Sequence, residues 1–399
     1  MIFQRNGGDL DYVACWYKKA FHYIKNHHIK AAFVSTNSIC QGQQVAPLWK
    51  PLFDEGLQII FAYRTFIWES ESYNKAHVYC IILGFANFDE GNKLIFKNGI
   101  VQKAKNINAY LMDAPNIFVQ KSRHPLCKIP QVIKGLQPTD NGNLILSDDE
   151  KNLLLKKEPA AEKWIRKFIT AKEYIHGKNR WCLWLDGIEP HELKKLPEIR
   201  RRVIACKEWR EQQKTTGDAY KLRDIPTSMR PSSKFHAGDF IVFPRHTGER
   251  RRYIPFGFEP SGAIPGDSVS IALDASLYHF GILVSNVHMA WMRVVAGRLK
   301  GDYRYTSDVV YNTFPWPTPT PEQRAEIERT AQGILDARAN HPGSSLADLY
   351  DDVFMPKDLR EAHRANDRAT LRAYGFPVKI TEPDCVAELM KRYEALAEG

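Results

Sequence analysis

The chain has 399 residues, 44% of them hydrophobic, so it can bury substantial cores and is expected to form two or three domains. Its formal charge of +10 at pH 7 favours a polyanionic partner over an enzyme that acts on acidic metabolites. Its seven cysteines are scattered and never spaced Cys-x-x-Cys, which argues against a zinc site and against a disulfide framework.

The first residues of the chain contain no apolar signal region. The longest apolar run, Val78 to Phe85, is too short to span a membrane. We therefore expect a soluble protein of the reducing cytoplasm, with no metal ion and no membrane partner.

Residues 1 to 85 alternate between helical and strand patterns. Apolar positions recur at helical spacing from Leu10 to Ile29, a strand and a polar loop follow over 30–37, and a second helix is expected over 44–53. Two β-rich runs then cover 57–66 and 75–85. This order is typical of a doubly wound α/β sheet. Only three strands are present, and we expect such a short sheet to leave an apolar edge and apolar faces uncovered.

The pattern changes between about residues 90 and 315. Short β-type runs and turn signals predict a mixed α+β domain, interrupted by a basic helix from Pro197 to Lys214. The proline-dense segment 312–321 predicts a domain boundary. A helical tail follows, because Thr320 begins a capping-box pattern and a second helix is expected between Pro356 and Gly375.

The positive charge is concentrated in one part of the chain. Between Lys194 and Arg252, sixteen Lys and Arg stand against seven Asp and Glu. Such a concentration is the electrostatic footprint expected of a nucleic-acid binding surface. Within it, the β-rich runs Phe240–Pro244 and Tyr253–Phe258 predict a hairpin whose tip, 245–252, is basic.

Motifs in chain order resemble those of type II fused restriction-modification enzymes that methylate adenine N6. The later motifs of their methyltransferase domain are similar to Leu10–Ala14, Phe33–Ser38, Arg64–Phe66 and Ile81–Phe85. Their target-recognition region is similar to Lys178–Leu185, Glu249–Pro255, Tyr278–Leu283, His288–Arg293, Gly297–Leu299 and Tyr311–Pro317. Their C-terminal part is similar to Ser345–Asp351 and Ala362–Asp367.

The resemblance covers essentially the whole chain and implies three regions. Residues 1–90 are expected to form the C-terminal part of the methyltransferase catalytic domain, a partial doubly wound α/β sheet. Residues 91–317 are expected to form the mixed α+β target-recognition domain, and residues 318–399 a helical C-terminal region. The implied partner is double-stranded DNA.

Two motifs of the resembled family do not occur in the 399 residues. These are the Asp-Pro-Ala-Cys-Gly-Ser-Gly-type loop for S-adenosylmethionine and the Asn-Pro-Pro-Tyr/Phe tetrapeptide, which binds the adenine amino group and stacks on the flipped base. We therefore expect no catalytic residue in this chain, and S-adenosylmethionine to serve only the complete enzyme. Two interpretations stay open: a half completed by a separately encoded N-terminal half, or a non-catalytic DNA-binding module or remnant.

The candidate DNA contacts follow from the chemistry of base edges and phosphates. An arginine of the 245–252 tip can donate two hydrogen bonds to guanine, and Glu249 can orient such an arginine or accept from cytosine N4. A solvated charge run is the alternative for this tip, and a capped turn is the alternative for Asn286, which otherwise suits adenine. The candidate DNA-binding residues are Arg200, Arg201, Arg202, Arg245, His246, Glu249, Arg250, Arg251, Arg252, Asn286, Arg298 and Arg304.

Phe66 and Trp68 fall where the resembled family places an aromatic wall for the extruded base. Strand core is the alternative for Phe66, so Trp68 is the better functional candidate. His279 and His288 have no carboxylate or cysteine at ligand spacing, and we expect both to be structural.

Overall fold

A computed structural model of the protein describes residues 8, 10–69, 77–230, 235–236 and 238–398. Its helices are α1 Val13–Ile24, α2 Val45–Asp54, α3 Asp148–Lys157, α4 Ala171–His176, α5 Pro190–Leu193, α6 Pro197–Glu211, α7 Asp218–Lys221, α8 Leu277–Leu283, α9 Asn286–Val295, α10 Pro321–Ala339, α11 Leu346–Leu349, α12 Lys357–Tyr374 and α13 Glu382–Glu398. Its strands are β1 Ala31–Thr36, β2 Gln58–Glu69, β3 His77–Ala86, β4 Lys93–Lys97, β5 Ile100–Ala104, β6 Val132–Lys134, β7 Ile145–Leu146, β8 Ile165–Ile169, β9 Trp181–Leu183, β10 Phe240–Pro244, β11 His246–Thr247, β12 Gly257–Glu259, β13 Ile264–Pro265, β14 Val269–Leu273, β15 Gly297–Leu299 and β16 Asp302–Arg304.

The first sheet has the strand order β1-β3-β2-β4-β5. Strand β3 lies antiparallel between β1 and β2, so β1 and β2 run in the same direction. The three strands predicted in the first 85 residues are all present, except that Lys75 and Ala76 lie outside the described residues. Strands β4 and β5 extend the sheet beyond that prediction. The predicted α/β fold class is confirmed, and the sheet holds five strands.

Helices α1 and α2 pack together against this sheet. Tyr17 of α1 contacts Trp49 of α2 and Phe85 of β3, and its hydroxyl lies 2.9 Å from Ser35 Oγ at the end of β1. The other edge of β1 pairs with no strand in the described part of the chain, and Val34 in the middle of β1 is 53% exposed. One strand edge is therefore open to solvent.

The middle region contains two four-stranded sheets and one three-stranded sheet, in the orders β12-β10-β14-β6, β13-β8-β9-β7 and β11-β16-β15. Arg210 of α6 is fully buried and donates five hydrogen bonds to backbone carbonyls of the segments 138–139 and 222–228. Because buried guanidinium groups need every donor satisfied, Arg210 holds these two loops on the helix.

The predicted hairpin is only partly correct. Strand β10 pairs antiparallel with β12, but β12 begins at Gly257 and not at Tyr253. Pro255 has no N–H to donate to a strand ladder, and Tyr253 is instead buried in the core with its hydroxyl 2.7 Å from Asp367 Oδ2. Within the predicted tip, His246–Thr247 forms β11 and joins a different sheet.

The C-terminal helices follow the predicted signals closely. Thr320 and Gln323 form the capping box of α10, and α12 ends at Gly375, whose φ is +68°. The proline-dense segment before α10 is packed, since Phe314 and Trp316 are buried. The helices pack on α8 and α9, so one continuous apolar core joins them to the first sheet.

Candidate nucleic-acid interface

A polar cavity of about 430 Å³ lies between the loop that follows β1 and the three-stranded sheet of the middle region. Gly42 of that loop has φ +58°, and a Cβ there would lie 3.0 Å from Gly297 Cα. Glycine is therefore required where the two backbones meet. The cationic residues that line the cavity are Lys134, Arg245, Arg298 and Arg304.

The three-stranded sheet places several predicted residues side by side. His246 of β11 lies opposite Arg304 of β16, and burial together with Arg245 and Arg304 lowers the pKa of His246. Arg245 Nη1 donates to the Asp267 carbonyl at 3.1 Å, which fixes the start of the loop. Arg245, which directly precedes β11, and Arg304 of β16 line the cavity, whereas His246 lies beside them outside its lining.

Arg298 of β15 connects this wall to Glu249. Its guanidinium stacks 3.9 Å from the centre of the Tyr303 ring, donates to the Gly301 carbonyl at 2.9 Å, and lies 3.6 Å from Glu249 Oε2. Three contacts in different directions fix the orientation of a side chain that is otherwise rich in rotamers. Glu249 is thus beside Arg298 of β15, an arginine outside the 245–252 tip.

A second cavity, of about 500 Å³, collects the rest of the basic loop. Its lining includes Glu249, the run Arg250–Arg252, Asn286 and Arg293. Ser285, not Asn286, caps α9, and the Asn286 side-chain oxygen has no hydrogen-bond partner in the described part of the chain. Asn286 therefore does not cap α9; its side-chain oxygen is buried, and the residue lines the cavity together with the arginines.

The cavity arginines differ from those of α6 in their ion pairs. Within the described residues, Arg245, Arg304 and the run Arg250–Arg252 have no carboxylate within 4 Å. On α6, Arg201 lies 3.3 Å from Glu198 and Arg202 lies 2.9 Å from Glu150, and neither lines the cavities. Arg200 beside them is exposed. The structure does not bring the three α6 arginines together with the other candidates.

The two predicted aromatic residues lie near the end of β2. Phe66 is half-buried, contacts Tyr63 edge-on, and lines a third cavity of about 600 Å³. Trp68 is 53% exposed, two residues further along the strand. Phe66 is therefore both a packed strand residue and a cavity wall.

The two histidines have structural partners. His288 is fully buried with Nε2 3.0 Å from the Tyr305 hydroxyl, and burial lowers its pKa to about 3. His279 completes the capping box of α8 with Ser276. Among the described residues, no three His, Cys, Asp or Glu side chains are grouped as metal ligands, and no helix could cross a membrane.

Sequence reasoning missed several residues of these cavities. Lys134 comes from β6 and Arg64 from β2, each far in sequence from the basic stretch, and both line a cavity with Arg298. Lys134 belongs to no recognised motif, and Arg64 begins the Arg64–Phe66 motif without having been identified as a site residue. Only the fold places them beside the predicted residues.

The fold and these cavities define a methyltransferase-type sheet joined to a DNA target-recognition region and a helical C-terminal region. Family models match the chain in that order: the MmeI DNA-methyltransferase domain over 1–97, the MmeI target recognition domain over 113–318 and the MmeI C-terminal domain over 319–399. The chain belongs to the MmeI family of restriction-modification enzymes. The predicted resemblance is thereby confirmed.

Two relatives agree with this assignment. DNA methyltransferase A of Bacillus subtilis (strain 168) is 36% identical over 395 residues, which are 99% of this chain and 45% of that protein. The solved structure of the type IIL restriction-modification enzyme MmeI in complex with DNA matches with a TM-score of 0.92 and 39% identity, over 99% of this chain and 53% of that one. The chain thus spans about half the length of either relative.

Proposed function

We propose that the chain is the DNA-recognition half of a site-specific adenine-N6 methyltransferase of a restriction-modification system. The observation that carries this proposal is the set of arginines without a carboxylate partner in the described residues, Arg245, Arg304 and Arg250–Arg252, on the walls of two cavities. Guanidinium groups without a carboxylate partner are suited to phosphates and guanine edges. In this proposal, residues 1–90 belong to the catalytic domain, 91–317 recognise the target and 318–399 form the helical support.

Within this interface we assign different tasks to different arginines. Arg250 and Arg252 are exposed at the tip and are proposed to read guanine, while Asn286 reads adenine from the same cavity. Arg245 and Arg304, which flank His246, are proposed to hold phosphates. The α6 residues Arg200, Arg201 and Arg202 are proposed as outlying phosphate contacts. Arg201 and Arg202 would have to break ion pairs with Glu198 and Glu150 to bind a phosphate.

The incompleteness of the catalytic region is supported by α1. Its buried face carries Tyr17 and Phe21, yet Trp16 and Tyr23 on the opposite face are 51% and 80% exposed. A helix that is apolar on two faces normally packs on both sides. Together with the open edge at Val34, this face is proposed to receive a separately encoded N-terminal half of the sheet.

S-adenosylmethionine is proposed as the methyl donor of the complete enzyme. The described residues do not fit it, because Gly42, the glycine in the loop after β1, already has the backbone of Gly297 against it. This chain is therefore proposed to bind and orient DNA only. Phe66 and Trp68 are proposed to stack on an extruded base, at roughly 1 to 3 kcal/mol per base.

DNA binding is tested on the purified chain with duplexes from a randomised pool at several salt concentrations. We expect Arg250→Ala or Arg252→Ala to relax the preference at one base position, because a bidentate guanine contact contributes about 1 to 3 kcal/mol. Arg329→Ala, an exposed arginine of α10 that lines none of the three cavities, is the matched control. If neither tip variant changes a preference, the tip is not the reader.

The second candidate function is that of a DNA-binding module that catalyses nothing, favoured by the missing donor loop and tetrapeptide. Transfer of a labelled methyl group to adenine separates the two. We expect none from this chain alone, and transfer when it is mixed with an N-terminal half that carries both motifs. Tyr23→Ser should weaken that complementation and leave DNA binding unchanged. Methyl transfer by the chain alone would contradict the proposal.

A further inference from the structure

The cavity of about 600 Å³ beside Phe66 is lined by several positively charged residues. It lies between the first sheet and the middle region, and Arg64, Lys97, Arg293 and Arg298 line it. Glu249 is the single carboxylate on the lining described. Four cations around one space, with one acid, favour the entry of an anion.

Arg64 is the residue that this arrangement leaves without a partner. It is half-buried, and in the described part of the chain its guanidinium has no carboxylate within 4 Å and makes no hydrogen bond. Burial lowers the pKa of Arg64, and the neighbouring Arg298 lowers it further. Removing a cation from water beside a like charge is costly unless another group compensates.

Three other buried or half-buried cations of this chain do have compensation. Arg210 has five carbonyl partners, and Lys93 lies within reach of both Gln58 and Asp89. Arg298 is held by Gly301 and Glu249. Among the described residues, the Arg64 guanidinium differs from these three cations because it has neither a hydrogen-bond acceptor nor an ion pair.

We propose that this cavity binds a backbone phosphate of DNA through Arg64 and Arg298. The proposal rests on the proposed DNA-binding function and adds a contact from the catalytic region. A phosphate accepts two parallel hydrogen bonds from a guanidinium, and two arginines 234 positions apart in sequence can share its charge. Because Phe66 lines the same cavity, the phosphate held there belongs to the strand near the proposed base wall.

Such a contact would join two parts of the enzyme through the substrate. Arg64 extends from β2 of the first sheet and Arg298 from β15 of the middle region. A phosphate between them neutralises a repulsion that is present without DNA. Binding is thereby coupled to the relative position of the catalytic sheet and the recognition sheets.

The test compares Arg64→Met with wild type and with Arg329→Ala. We expect the Met variant to bind every duplex about tenfold more weakly at moderate salt, and the slope of log affinity against log salt to become shallower by about 0.9. Base preferences should not change. In the absence of DNA, the Met variant should melt at the same temperature or higher, because a buried repulsion has been removed; a merely structural role predicts a lower melting temperature.

A scan with single neutral methylphosphonates in the preferred duplex identifies the phosphate. We expect one position at which the neutral group weakens wild type about tenfold but leaves Arg64→Met unaffected, which is the signature of a direct pair. Inorganic phosphate is the competing ligand. It should not stabilise the wild type against unfolding at concentrations at which the duplex does.

Three outcomes would overturn the phosphate proposal: an unchanged salt slope in Arg64→Met, equal methylphosphonate effects in both proteins, or saturation by inorganic phosphate alone. If instead wild type binds no duplex at all, the proposed function itself fails, and the two failures are distinguished.

Discussion

Replacement of Gly42 by alanine tests whether the junction between the first sheet and the middle region shapes the cavity of about 430 Å³. Gly42 has φ +58°, a conformation that costs an alanine roughly 1 to 2 kcal/mol. Its Cβ would also lie 3.0 Å from Gly297 Cα and 3.1 Å from Gly297 N. Since both atoms are backbone, they cannot rotate away as a side chain could, and overpacking adds roughly 1 to 3 kcal/mol.

Gly91→Ala is the matched control for this substitution. Gly91 has φ +71°, but a Cβ there would have no heavy atom within 4 Å, so only the conformational cost applies. Urea unfolding should show Gly42→Ala to be less stable than Gly91→Ala by about the overpacking cost alone. Gly42→Ala should also bind DNA more weakly, because Gly42 and Gly297 both line the cavity with Arg298.

The assay is a urea titration of each variant at fixed pH, with duplex binding measured on the folded proteins. Equal losses of stability in the two variants would refute the argument from close approach. A destabilised Gly42→Ala with wild-type DNA affinity would support the close approach of the two backbones but refute the link between this junction and DNA binding in the cavity.

Three further predictions concern stability. His288 binds a proton more weakly in the folded than in the unfolded protein, so its contribution to the free energy of unfolding is complete above pH 6.5 and is lost as the pH falls toward 3. The stability difference between wild type and His288→Gln should therefore shrink by about 2 kcal/mol from pH 7 to pH 5. Asp367, whose pKa burial raises to about 6, acts in the opposite sense but is common to both proteins. Arg210→Met should cost more than about 3 kcal/mol in urea unfolding, because five backbone carbonyls lose the donor that holds two loops on α6; a loss below about 1 kcal/mol would contradict this. Gly281→Ala should destabilise by roughly 1 to 3 kcal/mol, since its Cβ would lie 2.7 Å from a methyl of the facing helix, whereas Gly333→Ala, with open space, should stabilise by roughly 0.5 to 1 kcal/mol; the reverse order of melting temperatures would count against both.

Local chemistry made the helix ends predictable from sequence. The capping box at Thr320 and the left-handed Gly375 each specify one backbone conformation through their own atoms. The hairpin β4–β5 was missed, although Asn98 and Gly99, with φ of 50° and 78°, are the residues that a tight hairpin turn demands. That signal was present, and the strands on either side are short.

Tertiary competition accounts for the errors that remained. The run Tyr253–Phe258 has strand-like composition, but Pro255 cannot donate a hydrogen bond to a neighbouring strand. Tyr253 is buried instead, with its hydroxyl hydrogen-bonded to Asp367. Tertiary structure also decides the role proposed for Arg64, because that role depends on Arg298, which a different strand places beside it. Such pairings have no signature in a single sequence.

Positive charges that are close in the sequence are not all close in the folded protein. The basic stretch 194–252 divides in the fold: Arg201 and Arg202 of α6 form ion pairs with carboxylates, while the run Arg250–Arg252 forms none with the described residues. Lys134 and Arg64, from outside the stretch, join the cavities instead. An ion pair must be broken before a phosphate can take its place, which offsets most of the gain from contact. We therefore propose that DNA binds at the arginines without a carboxylate partner, and not along the whole basic stretch 194–252.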